Sequence, residues 1–149
     1  MDVSGTIDAI LAQKGTEIFS VSPGATVFEA VELMANKNVG ALLVIQDGQL
    51  VGMISERDYT RKVMLRGKRS KETEVREIMS SELTVVHSRE PVENCLRMMT
   101  DKRIRHLPVM DGDMIRGIIS IGDLVKWVIA TQSAAIAHLE MYISGGYTG

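Results

Sequence analysis

Apolar positions along this chain follow two rhythms, and the pair of rhythms occurs twice. Val27, Ala30, Val31 and Met34 fall at the i, i+3, i+4, i+7 spacing of one helix face, and Val92, Cys95, Leu96 and Met99 repeat it. The first predicted helix opens at Thr26 with Glu29 three residues on, the pattern of a capping box. The second carries Pro91 at the matching place, which a first helical turn tolerates. A short apolar run before each helix predicts a strand, Ile18 to Val21 and Leu83 to Val86. Two more strands are expected after each helix. Ala41 to Ile45 and Leu50 to Ile54 are split by Asp47-Gly48; Leu107 to Met110 and Met114 to Ile119 are split by Asp111-Gly112. Asp-Gly between apolar runs predicts a hairpin. A further helix is expected to start at Ser55 and again at Ser120.

Sliding the chain on itself by 65 residues brings the two halves into register without a gap. Val21 falls on Val86, Val27 on Val92, Met34 on Met99, Lys37 on Lys102 and Leu42 on Leu107. Val44 falls on Val109, Gly52 on Gly117, Ile54 on Ile119, Ser55 on Ser120 and Asp58 on Asp123. The fold class that follows is α/β (α+β), two pseudo-symmetric βαββα repeats. One such unit leaves an apolar sheet face uncovered, so the two are expected to pack through their sheets. The expected division is a lead-in helix over 1–15, a first repeat over 16–65 and a linker over 66–80. A second repeat over 81–128 and a C-terminal helix and tail over 129–149 complete it. The linker reading rests on the polar run Arg66 to Glu74, and the lead-in helix on Ile7, Ile10 and Leu11. Leu124, Val128, Ala135, Leu139 and Tyr142 make a stripe longer than one small unit covers, so a homodimer contact is expected there. Gly145 to Gly149 is expected to be mobile.

Composition narrows the function classes. The chain has 149 residues, 45% hydrophobic and 24% charged, enough for a core without disulfides or metals. Its formal charge of −2 gives no electrostatic footprint for nucleic acid. A single cysteine, Cys95, cannot form an internal disulfide or a cysteine zinc cage; its place on the apolar helix face predicts a buried, unreactive thiol. His87 and His138 stand alone, so no metal is expected. The start, Met-Asp-Val-Ser-Gly-Thr, is not a signal peptide, and no stretch approaches the roughly 20 apolar residues of a membrane span. A cytoplasmic, reducing setting without membrane attachment is the expectation.

The chemistry is concentrated in Gly-h-h-Ser-x-x-Asp, where h is apolar. It occurs as Gly52-Met53-Ile54-Ser55-Glu56-Arg57-Asp58 and as Gly117-Ile118-Ile119-Ser120-Ile121-Gly122-Asp123. Ser-x-x-Asp at a strand-to-helix junction is an ordinary helix cap. Its repetition at one offset also suits a ligand-facing turn, since a carboxylate there can accept bonds from two sugar hydroxyls. The two readings are compatible.

The strand–helix–hairpin repeat ending in this motif resembles the cystathionine-β-synthase-type (CBS) domain, and two in tandem resemble a Bateman module. The segments SERDYTRKV, DKRIRHLPV and ISGGY are similar to small stand-alone CBS-pair proteins of bacteria and plant organelles. The resemblance covers residues 16 to 128. It implies two clefts between the repeats that accept AMP, ADP, ATP, NAD(H) or another adenosyl ligand. In one cleft it implies Asp123 and Ser120 at ribose and phosphate, Arg105 and His106 at phosphate, and Lys14, Thr16, Phe19 and Val39 around the base. In the other it implies Ser55, Arg57 and Asp58, with Arg103 available to phosphate and Ser81, Thr84 and Ile104 around the base. Gly40-Ala41 stands where Arg105-His106 stands in the second repeat, so the Asp123 cleft is expected to be the better equipped.

The resulting expectation is an adenine-nucleotide-binding regulatory module acting on an unidentified partner protein, and not an enzyme. No nucleophile–base pair, P-loop or paired catalytic acids occur in the sequence. A structural dimerisation module with vestigial clefts and a nucleotide-processing enzyme are the alternatives.

Overall fold

Helix ends are set by the caps the sequence writes. In this computed structural model, which describes residues 5–15 and 17–141, the elements in order are α1 (Ile7–Lys14), β1 (Ser20–Val21), α2 (Val27–Lys37), β2 (Ala41–Gln46), β3 (Gln49–Ser55) and α3 (Glu56–Tyr59). A π-helical turn, Thr60–Met64, and a 3₁₀ turn, Val75–Glu77, follow. The second half holds α4 (Val92–Lys102), β4 (His106–Asp111), β5 (Met114–Ser120) and α5 (Ile121–Met141). Thr26 caps α2 in the expected box with Glu29. Pro91 sits one position earlier than expected, as the N-cap of α4 at φ −61°, ψ 141°.

The two hairpins share a register and differ in their turns. Each carries a bulge, between Val44 and Ile45 and between Val109 and Met110. Asp47 and Gly48 both take positive φ, 52° and 77°, as a type I′ turn requires. In the second hairpin Asp111 is still paired, opposite Met114, so the turn is Gly112-Asp113 and not Asp111-Gly112. Glycine supplies the positive φ, 61°, at the first turn position.

The strand expected at Leu83 to Val86 is not one. In the first repeat β1 runs parallel to β2, and Leu43 N–H donates to the Phe19 carbonyl, giving a sheet of order β1-β2-β3. In the second, Pro108 occupies the place of Leu43 and has no N–H to donate, so the pairing shrinks to Val86 against Val109. The sheet there is β4-β5 alone.

Each half of the chain completes the other half's core. Ile7, Ile10 and Leu11 are buried with Val86, Val92, Cys95, Met99, Leu107, Val109, Ile119 and Leu124 of the second repeat. Val75 and Ile78, from the segment that leads into the second repeat, are buried with Val27, Ala30, Met34, Leu42, Val44, Ile54 and Val63 of the first. Backbone bonds repeat the exchange one for one. Ile7 N–H donates to Glu90 O, Asp8 to Ser88 O, and Val92 to Gly5 O; Val75 donates to Ala25 O, Arg76 to Pro23 O, and Val27 to Thr73 O. The polar run read as a linker therefore folds back over the start of α2 through Ser70 and the buried Thr73.

This crossing explains the motif glycines. A Cβ on Gly52 would lie 2.7 Å from Met79 Sδ and 3.0 Å from Ser80 O, where the second lead-in pairs with β3. A Cβ on Gly117, whose φ is 149°, would lie 3.3 Å from Leu11 Cδ2. On α5, Leu124 is buried, whereas Val125, Ile129 and Leu139 are exposed. The side chain of Ala135, and Tyr142 with the glycine-rich tail, lie outside what is described. Ile7→Ala should cost about 2–5 kcal/mol of stability through the cavity it leaves. Urea unfolding would read that loss, and hydrogen exchange should show β4 and β5 losing protection before β2 and β3.

Candidate functional site

Both Ser-x-x-Asp motifs are reciprocal caps; the Asp58 carboxylate lines a space between the repeats, and the Asp123 carboxylate a hollow between α1 and α5. Ser55 Oγ accepts from Asp58 N–H at 3.2 Å, and Asp58 Oδ2 accepts from Ser55 N–H at 2.9 Å and Ser55 Oγ at 3.1 Å. Ser120 and Asp123 repeat the two backbone bonds at 3.1 and 2.8 Å. Each carboxylate also meets a lysine: Lys62 Nζ lies 3.0 Å from Asp58 Oδ1, and Lys14 Nζ 2.8 Å from Asp123 Oδ2. Lys62 comes from one turn on in the same helical segment, but Lys14 comes from the end of α1.

The two sides differ in shape. A cleft of about 650 Å³ runs from Met53, Ser55, Arg57 and Asp58 across to Arg103, Ile104, Arg105 and His106. That volume falls within the roughly 300–1,000 Å³ of small-molecule sites. Glu56, Arg61, Lys62 and Ser80 complete its charged and polar wall. Arg57, Arg61, Lys62, Arg103 and Arg105 outnumber Glu56 and Asp58, so the cleft favours anions. Arg103 ends α4 with φ 54°, where Asn38 ends α2, and its carbonyl accepts from Arg57 Nη1 at 3.5 Å. The other side is a slot of about 240 Å³, lined by Lys14, Phe19, Val39, Leu43, Arg116 and Ile118 among others. Asp123 lines neither; it opens with Lys14, Lys126 and Trp127 on a shallow hollow of about 360 Å³.

The grouping differs from the sequence expectation. Arg105 and His106, expected with Asp123, line the Asp58 cleft, while His106 also pairs with Ser120 across the hairpin and feels the Lys14 and Asp123 charges. His106 leans over the residue that replaces Arg105 in the first repeat: a Cβ on Gly40 would lie 3.4 Å from its Nε2. Lys14, Phe19 and Val39 line the slot, and Lys14 alone of the three also reaches Asp123; Thr16 lies outside the described residues. Ser55, Arg57, Asp58, Arg103 and Ile104 come together. Ser81 and Thr84 do not join them: Ser80 lines the cleft, and Thr84 Oγ1 accepts from Lys102 Nζ at 3.3 Å. Arg61 and Lys62 went unnoticed in the sequence, although their spacing of three and four from Asp58 places them on its helix face.

Local fields are uneven. Burial lowers the His106 pKa, the Lys14 and Arg105 charges lower it further, and Asp123 opposes them. Burial alone would raise the Asp123 carboxyl, but the bonds from Lys14 and Ser120 outweigh it and hold the pKa down. Cys95 is pushed up to about 12 by burial and by Glu90, so its thiol is inert. Among the described residues no group of histidines, cysteines and carboxylates gathers as a metal site, and no helix is long and apolar enough to cross a membrane.

Two pseudo-symmetric helix–hairpin units with a charged cleft between them make up a paired-repeat module. The CBS domain family model matches residues 14–65 and 75–130, and the chain belongs to the CBS-domain family. The mitochondrial CBS domain-containing protein CBSX3 of Arabidopsis thaliana is 42% identical over 127 residues, 82% of this chain. The match spans only 62% of that plant protein's length. A solved CBS-domain protein from Burkholderia ambifaria is 44% identical with a TM-score of 0.82, covering 86% of this chain and 96% of that one. The CBS domain pair of protein MJ0100, solved with 5′-methylthioadenosine and S-adenosyl-L-methionine, shares the fold at a TM-score of 0.74 and 23% identity. It covers 83% of this chain and 94% of that one.

The pH dependence of stability should carry the His106 signature. Its folded pKa lies below the ordinary 6.5, so the unfolded chain binds the proton first. Stability should therefore fall as pH drops from 6.5 toward the folded pKa. His106→Gln should flatten that part of the curve in a pH series of thermal melts. Asp123 contributes stability above its ordinary 3.8 that is lost as pH falls through its lower folded value.

Proposed function

We propose that this chain is a regulatory module that binds an adenosine phosphate in the Asp58 cleft and passes its occupancy to a partner protein. The carrying observation is the placement of a sugar-type carboxylate, Asp58, opposite the guanidinium pair Arg103 and Arg105 in one cleft. Asp58 accepts two ribose hydroxyls, and arginine forks suit phosphate. Met53 and Ile104 offer apolar surface to a base. Adenosyl ligands in the MJ0100 domain pair, a distant relative of the same fold, support the ligand class. AMP, ADP, ATP and NAD(H) all carry the needed sugar and phosphate.

The cleft is built from both repeats, so a ligand bridges them and favours one arrangement by its differential affinity. The exposed apolar residues Val125, Ile129 and Leu139 on α5, with Met64 and Leu65 beyond α3, suit a homodimer contact. A binding role is also what the cap chemistry allows. The Asp58 carboxylate is held by the Ser55 N–H, the Ser55 hydroxyl and Lys62 as a helix cap.

Ligand-induced stabilisation tests the reading directly. AMP in excess should raise the melting temperature by mass action. Asp58→Asn keeps the shape of the cap and removes the charge, and should weaken AMP ten-fold or more, the loss of about 1.5–3 kcal/mol. No shift with AMP, ADP, ATP or NAD in the unaltered protein would contradict the proposal and favour a structural module.

A further inference from the structure

Residues 60–71 carry six cations, Arg61, Lys62, Arg66, Lys68, Arg69 and Lys71, and no carboxylate, in a chain whose formal charge is −2. The fold does not require them, because the pseudo-equivalent residues 125–136 hold Lys126 alone. Arg61 and Lys62 line the Asp58 cleft, whereas residues 64–69 and Lys71 are exposed. Backbone bonds fix this stretch in place. Lys68 N–H donates to Val63 O across Gly67, which takes φ 68°, and Phe28 N–H donates to Ser70 O. The cations after Leu65 are thereby set beside the first turn of α2. There Phe28 is 38% exposed, with the Lys71 ammonium 4.7 Å from its ring centroid. Glu93 stands at the matching place in α4, so the repeat folds without an aromatic there. Arg69 meets Glu72 at 3.5 Å with 80% of its side chain exposed; among the described residues Arg66, Lys68 and Lys71 form no ion pair.

We propose that Phe28, Arg66, Lys68, Arg69 and Lys71 form a docking surface for an acidic segment of a partner protein, with an apolar side chain on the Phe28 ring and carboxylates on the cations. Charge complementarity carries the choice of partner. Glu29 and Glu72 adjoin Phe28 and Lys71 in sequence, and Glu32 lies one turn on from Phe28, so acids border the cations. A phosphate backbone or an anionic lipid surface presents negative charge everywhere and is repelled at that border. A protein segment places its carboxylates only where the cations stand, and the ring offers it an apolar anchor. This partner chemistry deepens the regulatory reading and rests on it only for the signal that the contact transmits.

Fluorescence anisotropy of the full chain, without nucleotide and at low salt, tests the surface separately from the nucleotide reading. The probe is a labelled peptide of glutamates with leucines spaced one helical turn apart. It should bind, and lose affinity as salt rises. Arg66→Glu combined with Lys68→Glu should weaken it at least ten-fold, and Phe28→Ser several-fold. Lys126→Glu, on the pseudo-equivalent stretch, should leave it unchanged. All these side chains are exposed, so each variant should keep its melting temperature. Binding that survives the reversal at Arg66 and Lys68 would overturn the proposal, because the peptide then sits elsewhere, as in the anion-favouring cleft. Equal binding of a peptide with glutamine in place of glutamate would overturn it as well. Tighter binding of phosphatidylglycerol vesicles or of an oligothymidylate through the same cations would overturn the choice of a protein partner. Absence of peptide binding would overturn the docking surface and leave the Asp58 reading standing, to be judged by AMP alone.

Discussion

An apolar sheet face has to be covered, and in this chain each repeat's cover comes in part from the other half. Residues 5–11 close the second core and residues 73–79 close the first, through three matched pairs of backbone bonds. This exchange ties the two repeats into one pseudo-symmetric body. It also dictates where the chain cannot carry side chains: Gly52 and Gly117 are small because Met79 and Leu11 cross them. The clefts are what remains between two units held in that relation. Their walls consequently come from both halves, which is the condition for a ligand to report on the relative placement of the repeats.

Within this frame the cap carboxylates carry two tasks. Asp58 and Asp123 close the first turns of α3 and α5; Asp58 lines the space between the repeats, and Asp123 the hollow between α1 and α5. The pseudo-symmetry breaks in the lysines that meet them. Lys62 lines one large cleft together with its carboxylate, whereas Lys14 lines both the Phe19 slot and the hollow that holds Asp123. Arg105 and His106 add to the difference by lining the Asp58 cleft, His106 beside Gly40. Sequence symmetry is thus compatible with strongly unequal binding chemistry.

Much of the architecture was legible because it is local. The helix faces, the Thr26 cap, the Ser55 and Ser120 helix starts and the hairpins follow from spacing over a few residues. What escaped was non-local or depended on one atom. Pro108 withholds a single N–H, and the strand expected at Leu83 to Val86 shrinks to a bridge. The turn moved to Gly112-Asp113 because Asp111 remains paired in β4. Arg66 to Glu74 read as a tether by its polarity, yet its end covers α2, with Thr73 buried. Arg105 was placed with Asp123 by the family resemblance, and in the folded chain it lines the Asp58 cleft. The candidate carboxylates and Lys14 could be named in advance; Lys62 and the separate spaces on which the two carboxylates open could not.

The central claim is that an adenosine phosphate binds in the Asp58 cleft between the repeats. A crystal structure of the chain with AMP measures this most directly. The account predicts ribose on Asp58 and phosphate on Arg103 and Arg105. AMP seated in the Phe19 slot with its ribose on Asp123, and no nucleotide at Asp58, would contradict it.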